Sequence, residues 1–438
     1  MKKKLFLLFF GFVFWFQFCE AQSFEIENGK DKFSVYFKHI GNLIILPISI
    51  NGSVPLNFLL DTGSPYTIIT NLNAIRHFEL KKGNSITVSG LGRDIQNIEA
   101  YLSTGNSLTI GKAASEKSEI ILIYEQGFDL SGRFGIPIYG IIGHDILKDF
   151  ITEINYSRKK VTFYEPDYFH KKKNLKKFES VPIEVRGKKP YLNLASKINE
   201  QEIRLDLLID SGSSDALWLF EKNEENIFIP SEFIEDYLGY GLNGEIHGKK
   251  TRISDLKIGS YHLENLTTSF PDSISISNVV RKNRNGTIGS EVLRRFTTIY
   301  DYQNKTFYFK KNKYFKQDFH YNLAGLELYQ PYPDLPYLEV AYVRKNSPAY
   351  FAGLKKGDAI RYVNEKKINT FLVNQFEDKY SAYQDNTIYP DTKKRESITL
   401  PEIIELFKSE VGRKINIVYT RGENKEERHA KFVLEKSI

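Results

Sequence analysis

Two carboxylates stand at matching places in this chain. Asp61 lies in Leu59-Leu60-Asp61-Thr62-Gly63-Ser64, and Asp210 lies in Leu208-Ile209-Asp210-Ser211-Gly212-Ser213. In each copy an apolar run ends at the Asp and a Gly-containing turn follows. A buried strand that delivers a carboxylate to a turn holds it rigidly. Two such turns face to face could bring two carboxyls to about 3 Å, where they share one proton. Like charges that close cannot both ionise cheaply, so one pKa rises and the other falls. The ionised partner can take a proton from water, and the protonated partner can polarise a carbonyl. That chemistry hydrolyses a peptide bond without a covalent enzyme intermediate. Gly63 and Gly212 admit tight turns and a close approach of backbone N–H groups. Thr62 and Ser211 are placed to donate hydroxyls across a junction between lobes. Ser64 and Ser213 are placed to bond the outer carboxylate oxygens.

The elements that must position these turns are themselves repeated. Gly140-Ile141-Ile142-Gly143-His144-Asp145-Ile146-Leu147-Lys148-Asp149-Phe150 is echoed by Gly286-Thr287-Ile288-Gly289-Ser290-Glu291-Val292-Leu293-Arg294-Arg295-Phe296. A hairpin-like stretch follows each, with turns at Asn155 to Lys159 and Asp301 to Lys305. The shared order predicts two related lobes, each built of strands around an acidic turn, a short strand ending in Gly, a short helix and a hairpin. The boundaries expected are a leader at 1–22, lobe one at 23–170, lobe two at 171–315 and a third domain at 320–438, with an inserted polar loop near 369–396. The fold class expected is mainly β, with two pseudo-symmetric lobes and an α+β domain after them. A chain of 438 residues is too long for one core, which fits three domains.

Met1-Lys2-Lys3-Lys4 followed by the apolar run Leu5 to Phe18 predicts a secretory signal peptide cut near Ala21 or Gln22. The run is too short for a comfortable membrane span, so no stable span is expected after cleavage, and the product is periplasmic or extracellular. The competing reading is an uncleaved anchor. Cleavage removes Cys19, the only Cys, which excludes disulfides, Cys peptidase chemistry and thiolate metal sites. The net charge of +7 is spread along the chain. Its densest run, His170 to Lys177, carries no interleaved aromatic and reads as a solvated linker, so no nucleic-acid partner is expected. The His residues show no metal-ligand spacing, so no metal is expected. Gly90-Leu91-Gly92 lacks the third Gly of a dinucleotide loop, and no cofactor is expected. His144 sits beside the Gly-ending strand, but its counterpart is Ser290, which points to a surface or capping role.

The Asp-Thr/Ser-Gly-Ser turns resemble the active-site loops of the aspartic peptidases. Ile141-Ile142-Gly143 and Thr287-Ile288-Gly289 resemble the elements that thread behind those loops, with Thr287 departing from the apolar pattern. The bilobal arrangement is pepsin-like, and the short lobes are similar to the retropepsin type. The resemblance implies acid-protease β-barrel lobes, Asp61 and Asp210 as the catalytic pair, and a polypeptide substrate. Ser347-Pro348-Ala349, Ala352-Gly353-Leu354 and Gly357-Asp358 resemble a PDZ domain. In that domain Ser347 is the expected helix N-cap, Pro348 the first helical residue, and Pro401 to Ser409 a second helix. Ala324, Gly325 and Leu326 would form the loop that captures a peptide C-terminus through backbone N–H groups, with the peptide added as a strand. The alternative for this domain is a module that docks on the lobes and binds nothing free. Val88 to Arg93 and Leu238 to Leu242 are matching candidates for turns that cover the cleft, or else plain Gly-rich hairpin turns. Taken together, the expectation is an exported aspartic endopeptidase. The competing reading is a catalytically silent, protease-like scaffold that binds peptides.

Overall fold

The computed structural model describes residues 23–70, 78, 80–88, 90–93, 97–124, 130–276, 280, 283–332, 335–369, 397–422 and 426–438. The leader, nearly all of the inserted loop and Ser89 lie outside the described residues. Among the described residues no helix is long and apolar enough to cross a membrane.

The mainly β architecture expected from the sequence is the one observed. Lobe one contains strands β1 (Leu43–Ile50) and β2 (Leu56–Leu60), helix α1 (Leu130–Phe134), strand β3 (Gly140–Ile142), helix α2 (His144–Leu147) and strand β4 (Ile151–Asn155). Every residue of β2 is buried. That is the burial expected of a largely apolar strand covered on both faces, and its one polar residue, Asn57, donates to the Pro137 carbonyl at 2.7 Å. The short strand β3 lies parallel to β2, with Gly140 opposite Phe58 and Ile142 opposite Leu60. Gly140 is required there, because a Cβ would sit 2.1 Å from the Ile68 carbonyl of the strand on its other side.

The chain then crosses to lobe two through helix α3 (Pro166–Lys172). The expected solvated linker is therefore partly structured. Lys171, Lys176 and Lys177 are exposed, but Lys173 is half-buried against Glu153, and Phe169 is fully buried among Ile151, Tyr164 and Ile299. Lobe two repeats the first with β5 (Lys189–Ile198), β6 (Gln201–Ile209), β7 (Gly286–Ile288), helix α4 (Ser290–Leu293) and β8 (Phe296–Asp301). Strand β7 runs parallel to β6, with Leu207 opposite Gly286 and Ile209 opposite Ile288.

The two lobes are joined by more than the connector. Strands β4 and β8 pair antiparallel across the boundary, with Thr152 opposite Tyr300 and Ile154 opposite Thr298. Around this seam the hairpins of both lobes build one six-stranded sheet, closed at its edges by Lys32–Tyr36 and Glu179–Pro182. One apolar core runs through both lobes beneath it, with Phe33 stacked on Phe163 at 5.0 Å and Phe307 on Phe309 at 5.6 Å. Burying each such ring contributes about 2–3 kcal/mol.

The third domain contains strand β9 (Leu326–Tyr329), helix α5 (Pro348–Phe351) and helix α6 (Leu400–Phe407) in and around a seven-stranded sheet. Ser347 caps α5 by accepting from the Tyr350 N–H at 3.2 Å, with Pro348 following as expected. Helix α6 starts one residue earlier than expected, because Thr399 and Glu402 form a capping box there. The chain leading into this domain is pinned to lobe two, where buried Arg295 donates to the carbonyls of Phe315, Gln317 and Asp318.

Candidate active site

The two acidic turns meet at the lobe junction. Strands β3 and β7 fix them from behind: the Asp61 N–H donates to the Ile142 carbonyl at 2.9 Å, and the Asp210 N–H donates to the Ile288 carbonyl at 3.0 Å. Gly143 and Gly289 let those strands press against the turns, since a Cβ would lie 2.4 Å from the Asp61 carbonyl and 2.2 Å from the Asp215 carbonyl respectively.

The cross-lobe bonds expected of Thr62 and Ser211 form a reciprocal set. Thr62 Oγ1 donates to the Ile209 carbonyl at 2.7 Å and accepts from the Ser211 N–H at 2.9 Å. Ser211 Oγ donates to the Leu60 carbonyl at 2.8 Å and accepts from the Thr62 N–H at 3.0 Å. Both hydroxyls are fully buried, so each lobe completes the polar groups of the other.

This lock places the carboxyls against each other. The Gly63 N–H donates to Asp61 Oδ1 at 2.7 Å, and the Gly212 N–H donates to Asp210 Oδ1 at 2.8 Å. A Cβ on Gly63 would lie 3.1 Å from the Asp210 carboxyl carbon, and one on Gly212 would lie 2.5 Å from that of Asp61. Burial pushes the Asp61 carboxyl well above the usual carboxylate range, and the Asp210 charge and a hydrogen bond to Asp210 add to the rise. The Gly63 N–H and Lys189 oppose it.

The two Ser residues act differently from expectation. Ser64 is buried and its hydroxyl donates to the Tyr66 carbonyl at 2.8 Å, so it stabilises its own turn instead of the carboxylate. Ser213 turns toward Gly289, and its carbonyl accepts from the Ser290 N–H at 2.7 Å. The carboxylate oxygens are bonded by the glycine N–H groups, which reach them from within the same tight turn. His144 also departs from expectation. It is half-buried, its ring stands edge-on to Tyr302 at 5.4 Å, and burial lowers its pKa to about 4, with Lys188 and Lys148 adding to the drop.

A cleft of about 560 Å³ surrounds the pair. The two Gly-rich turns meet over it. The Asn243 N–H donates to the Leu91 carbonyl at 2.9 Å, and a Cβ on Gly241 would lie only 2.0 Å from that carbonyl. The salt bridge Arg93–Asp272 at 2.6 Å ties the first turn to lobe two.

The third domain docks beside this cleft. Arg344 and Asp236 form a buried pair at 3.1 Å, the Gln330 N–H donates to the Gly132 carbonyl at 2.7 Å, and Gly135 packs beneath Leu400. The cleft therefore continues between β9 and α6, where Leu328, Ile404 and Lys408 line it. Ala324, Gly325 and Leu326 are buried at the start of β9. The Gly325 N–H already donates to Asn322 Oδ1 at 3.1 Å, and the Ala324 carbonyl accepts from the Ala349 N–H at 3.1 Å.

Two further cleft residues, Lys189 and Arg284, escaped the sequence reading. The repeat carries a signal for Arg284, which stands two residues before β7 as Ile138 does before β3, but none for Lys189, which only the strand register sets across from Asp210. Among the described residues no group of three or more His, Cys, Asp or Glu could hold a metal ion.

Residues 46–146 match the family model described as "Aspartyl protease". The matched segment covers most of lobe one, including Asp61 and β3. The chain is also similar to the crystal structure of aspartic proteinase from Irpex lacteus, at 13% identity and a TM-score of 0.41, covering 65% of this chain and 99% of that one. No curated protein matches the chain.

Proposed function

We propose that this protein is an exported aspartic endopeptidase in which Asp61 and Asp210 activate water against a peptide bond. The observation that carries this reading is the pair of carboxyls held together by the reciprocal Thr62–Ser211 lock and by the Gly63 and Gly212 N–H groups. Two carboxyls in this relation share one proton. The ionised partner takes a proton from water, and the resulting hydroxide equivalent attacks the scissile carbonyl carbon. The protonated partner donates to the carbonyl oxygen as it becomes a tetrahedral alkoxide. Collapse of that adduct breaks the C–N bond, and a proton passes to the leaving amine. The raised Asp61 carboxyl suits the donor role. The match of lobe one to the aspartyl protease family model supports the same reading. Export rests on the basic and apolar leader.

In this reading the third domain is a PDZ-like module that positions polypeptide beside the cleft. The support is its docking on both lobes and the continuity of its β9–α6 groove with the cleft. Capture of a free peptide C-terminus by Ala324, Gly325 and Leu326 has less support, because Asn322 already occupies the Gly325 N–H.

The test is cleavage of an unfolded polypeptide by wild type, Asp61→Asn and Asp210→Asn. Hydrolysis should vanish in both variants while each keeps a cooperative melting transition. Wild-type protein that binds but never cleaves the polypeptide would instead identify the silent scaffold.

A further inference from the structure

The two lobes are alike in backbone but differ in what they present to the bound chain. In lobe one, Ile45 pairs with Leu59, so continuing the register two residues sets Leu43 opposite Asp61. In lobe two, Tyr191 pairs with Leu208, so the same step sets Lys189 opposite Asp210. Each of these residues closes an equivalent hairpin, Leu43 against Ile40 and Lys189 against Arg186. Two residues before the short strands β3 and β7 the same change recurs: Ile138 in lobe one, Arg284 in lobe two. Leu43 and Ile138 belong to one apolar cluster, whereas Lys189 and Arg284 are cations lining the cleft.

A guanidinium in place of a buried aliphatic side chain is costly unless something satisfies it. Arg284 is 8% exposed, and its Nε has no hydrogen-bond partner among the described residues. Tyr191 lies beside it, and the Phe220 ring centroid stands 5.6 Å from its guanidinium carbon. Asp206, which acts on Arg284, is itself engaged, and so are Asp215 and Glu291 of the cleft lining. Asp206 holds Arg186 at 2.6 Å, and Glu291 holds Arg294 at 2.6 Å and Arg295 at 2.9 Å. Asp215 accepts from Trp218 and Ser269, both at 2.8 Å. Asp61 and Asp210, sharing one proton, carry one negative charge between them against two cations. This end of the cleft therefore has an uncompensated positive charge in a water-poor setting.

Resting on the peptidase reading, we infer that Lys189 and Arg284 form a subsite for a carboxylate of the substrate, beside the scissile bond on the lobe-two side, while Leu43 and Ile138 leave the opposite side apolar. The carboxylate is either an Asp or Glu side chain or the free C-terminus of the substrate. The asymmetry also gives the substrate a direction in a nearly symmetric site. Burial lowers the pKa of the Lys189 ammonium and outweighs the opposing pull of Asp61 and Asp210, in keeping with a cation that lacks a counter-charge.

The test uses synthetic decapeptides cleaved by the full chain, with products read by mass spectrometry. Glu or Gln is placed in turn at each position flanking the scissile bond, and every peptide is made as a C-terminal acid and as an amide. At one position the ratio of kcat/KM for Glu over Gln, or for acid over amide, should reach about 10 to 100, the range of a charge-assisted hydrogen bond. Which ratio responds identifies the source of the carboxylate. In the double variant Lys189→Leu/Arg284→Ile, which restores the lobe-one residue types, that ratio should fall to near 1. If that variant does not fold, Lys189→Gln alone should reduce the ratio several-fold. Wild-type ratios near 1 throughout, or a preference that survives the substitutions, would overturn the inference while leaving the peptidase intact. Absence of all cleavage would instead refute the peptidase reading on which it rests.

Discussion

The closest test of the dyad geometry is a single methyl group placed in each acidic turn. In Gly212→Ala the new Cβ would lie 2.5 Å from the Asp61 carboxyl carbon and 2.7 and 2.8 Å from its oxygens. Favourable carbon–carbon contact needs about 3.5 Å, so the Asp61 carboxyl must retreat by about 1 Å. A displacement of that size in a reacting group lowers the rate about 100-fold. In Gly63→Ala the Cβ would lie 3.1 Å from both the Asp210 carboxyl carbon and Asp61 Oδ1, so a few tenths of an ångström suffice. The expected outcome is asymmetric: kcat falls about 100-fold in Gly212→Ala and about 3-fold in Gly63→Ala. Neither glycine has a left-handed φ, so both variants should fold, with stability losses of about 1–3 kcal/mol for local overpacking. Steady-state kinetics on one peptide, with thermal melts as the control for folding, make the measurement. Equal losses in the two variants, or a Gly212→Ala enzyme within a few-fold of wild type, would refute the placement of the carboxyls.

Three other outcomes follow from the same structure. Thr62→Val leaves the Ile209 carbonyl and the Ser211 N–H unpaired in a buried seam, so unfolding in urea should show a loss of about 2–4 kcal/mol. Replacing Arg344 by Met strands the buried Asp236 charge at the lobe-two interface and should cost about 3–5 kcal/mol. Replacing both partners, Arg344→Met with Asp236→Leu, should recover most of that loss in the same melts. Because the folded Asp61 pKa is raised, its contribution to stability is fully present below the unfolded value of about 3.9 and is lost as pH rises through the folded value. Activity that depends on its proton should be lost over the same rise. The melting temperature of Asp61→Asn should therefore depend less on pH above about 4 than that of wild type.

Local elements were the most legible part of the sequence. The Gly-ending strands, the short helices after them, the Ser347 cap and the hairpin turns all carry signals within a few residues. The pairing of Asp61 with Asp210 was legible because the repeat itself brings two sites together. The seam between β4 and β8 was not, since nothing in Thr152 to Asn155 names a partner about 150 residues away. Type and spacing allow the hydroxyls of Ser64 and Ser213 to bond the carboxylates, whereas Ser64 instead bonds the Tyr66 carbonyl within its own turn. The docking of the third domain depends on Arg344 and Asp236, which as isolated letters look like ordinary surface charges. Lys189 was hidden for a related reason: it is the second of two Lys in a hairpin turn, and only the register sets it across from Asp210.

The register of the β4–β8 seam has a symmetry of its own. In the repeat, Thr152, Glu153 and Ile154 correspond to Thr298, Ile299 and Tyr300. The observed pairs are Thr152 with Tyr300, Glu153 with Ile299 and Ile154 with Thr298. Thr152 thus meets the counterpart of Ile154, Ile154 meets the counterpart of Thr152, and Glu153 meets its own counterpart on the axis. That is an isologous contact, the pattern by which two identical subunits join about a two-fold axis. One polypeptide here encloses an interface with the symmetry of a homodimer's. A true homodimer must place the same side chain on both sides of its axis. Covalent linkage removes that constraint, and it is what permits Leu43 in one half and Lys189 in the other.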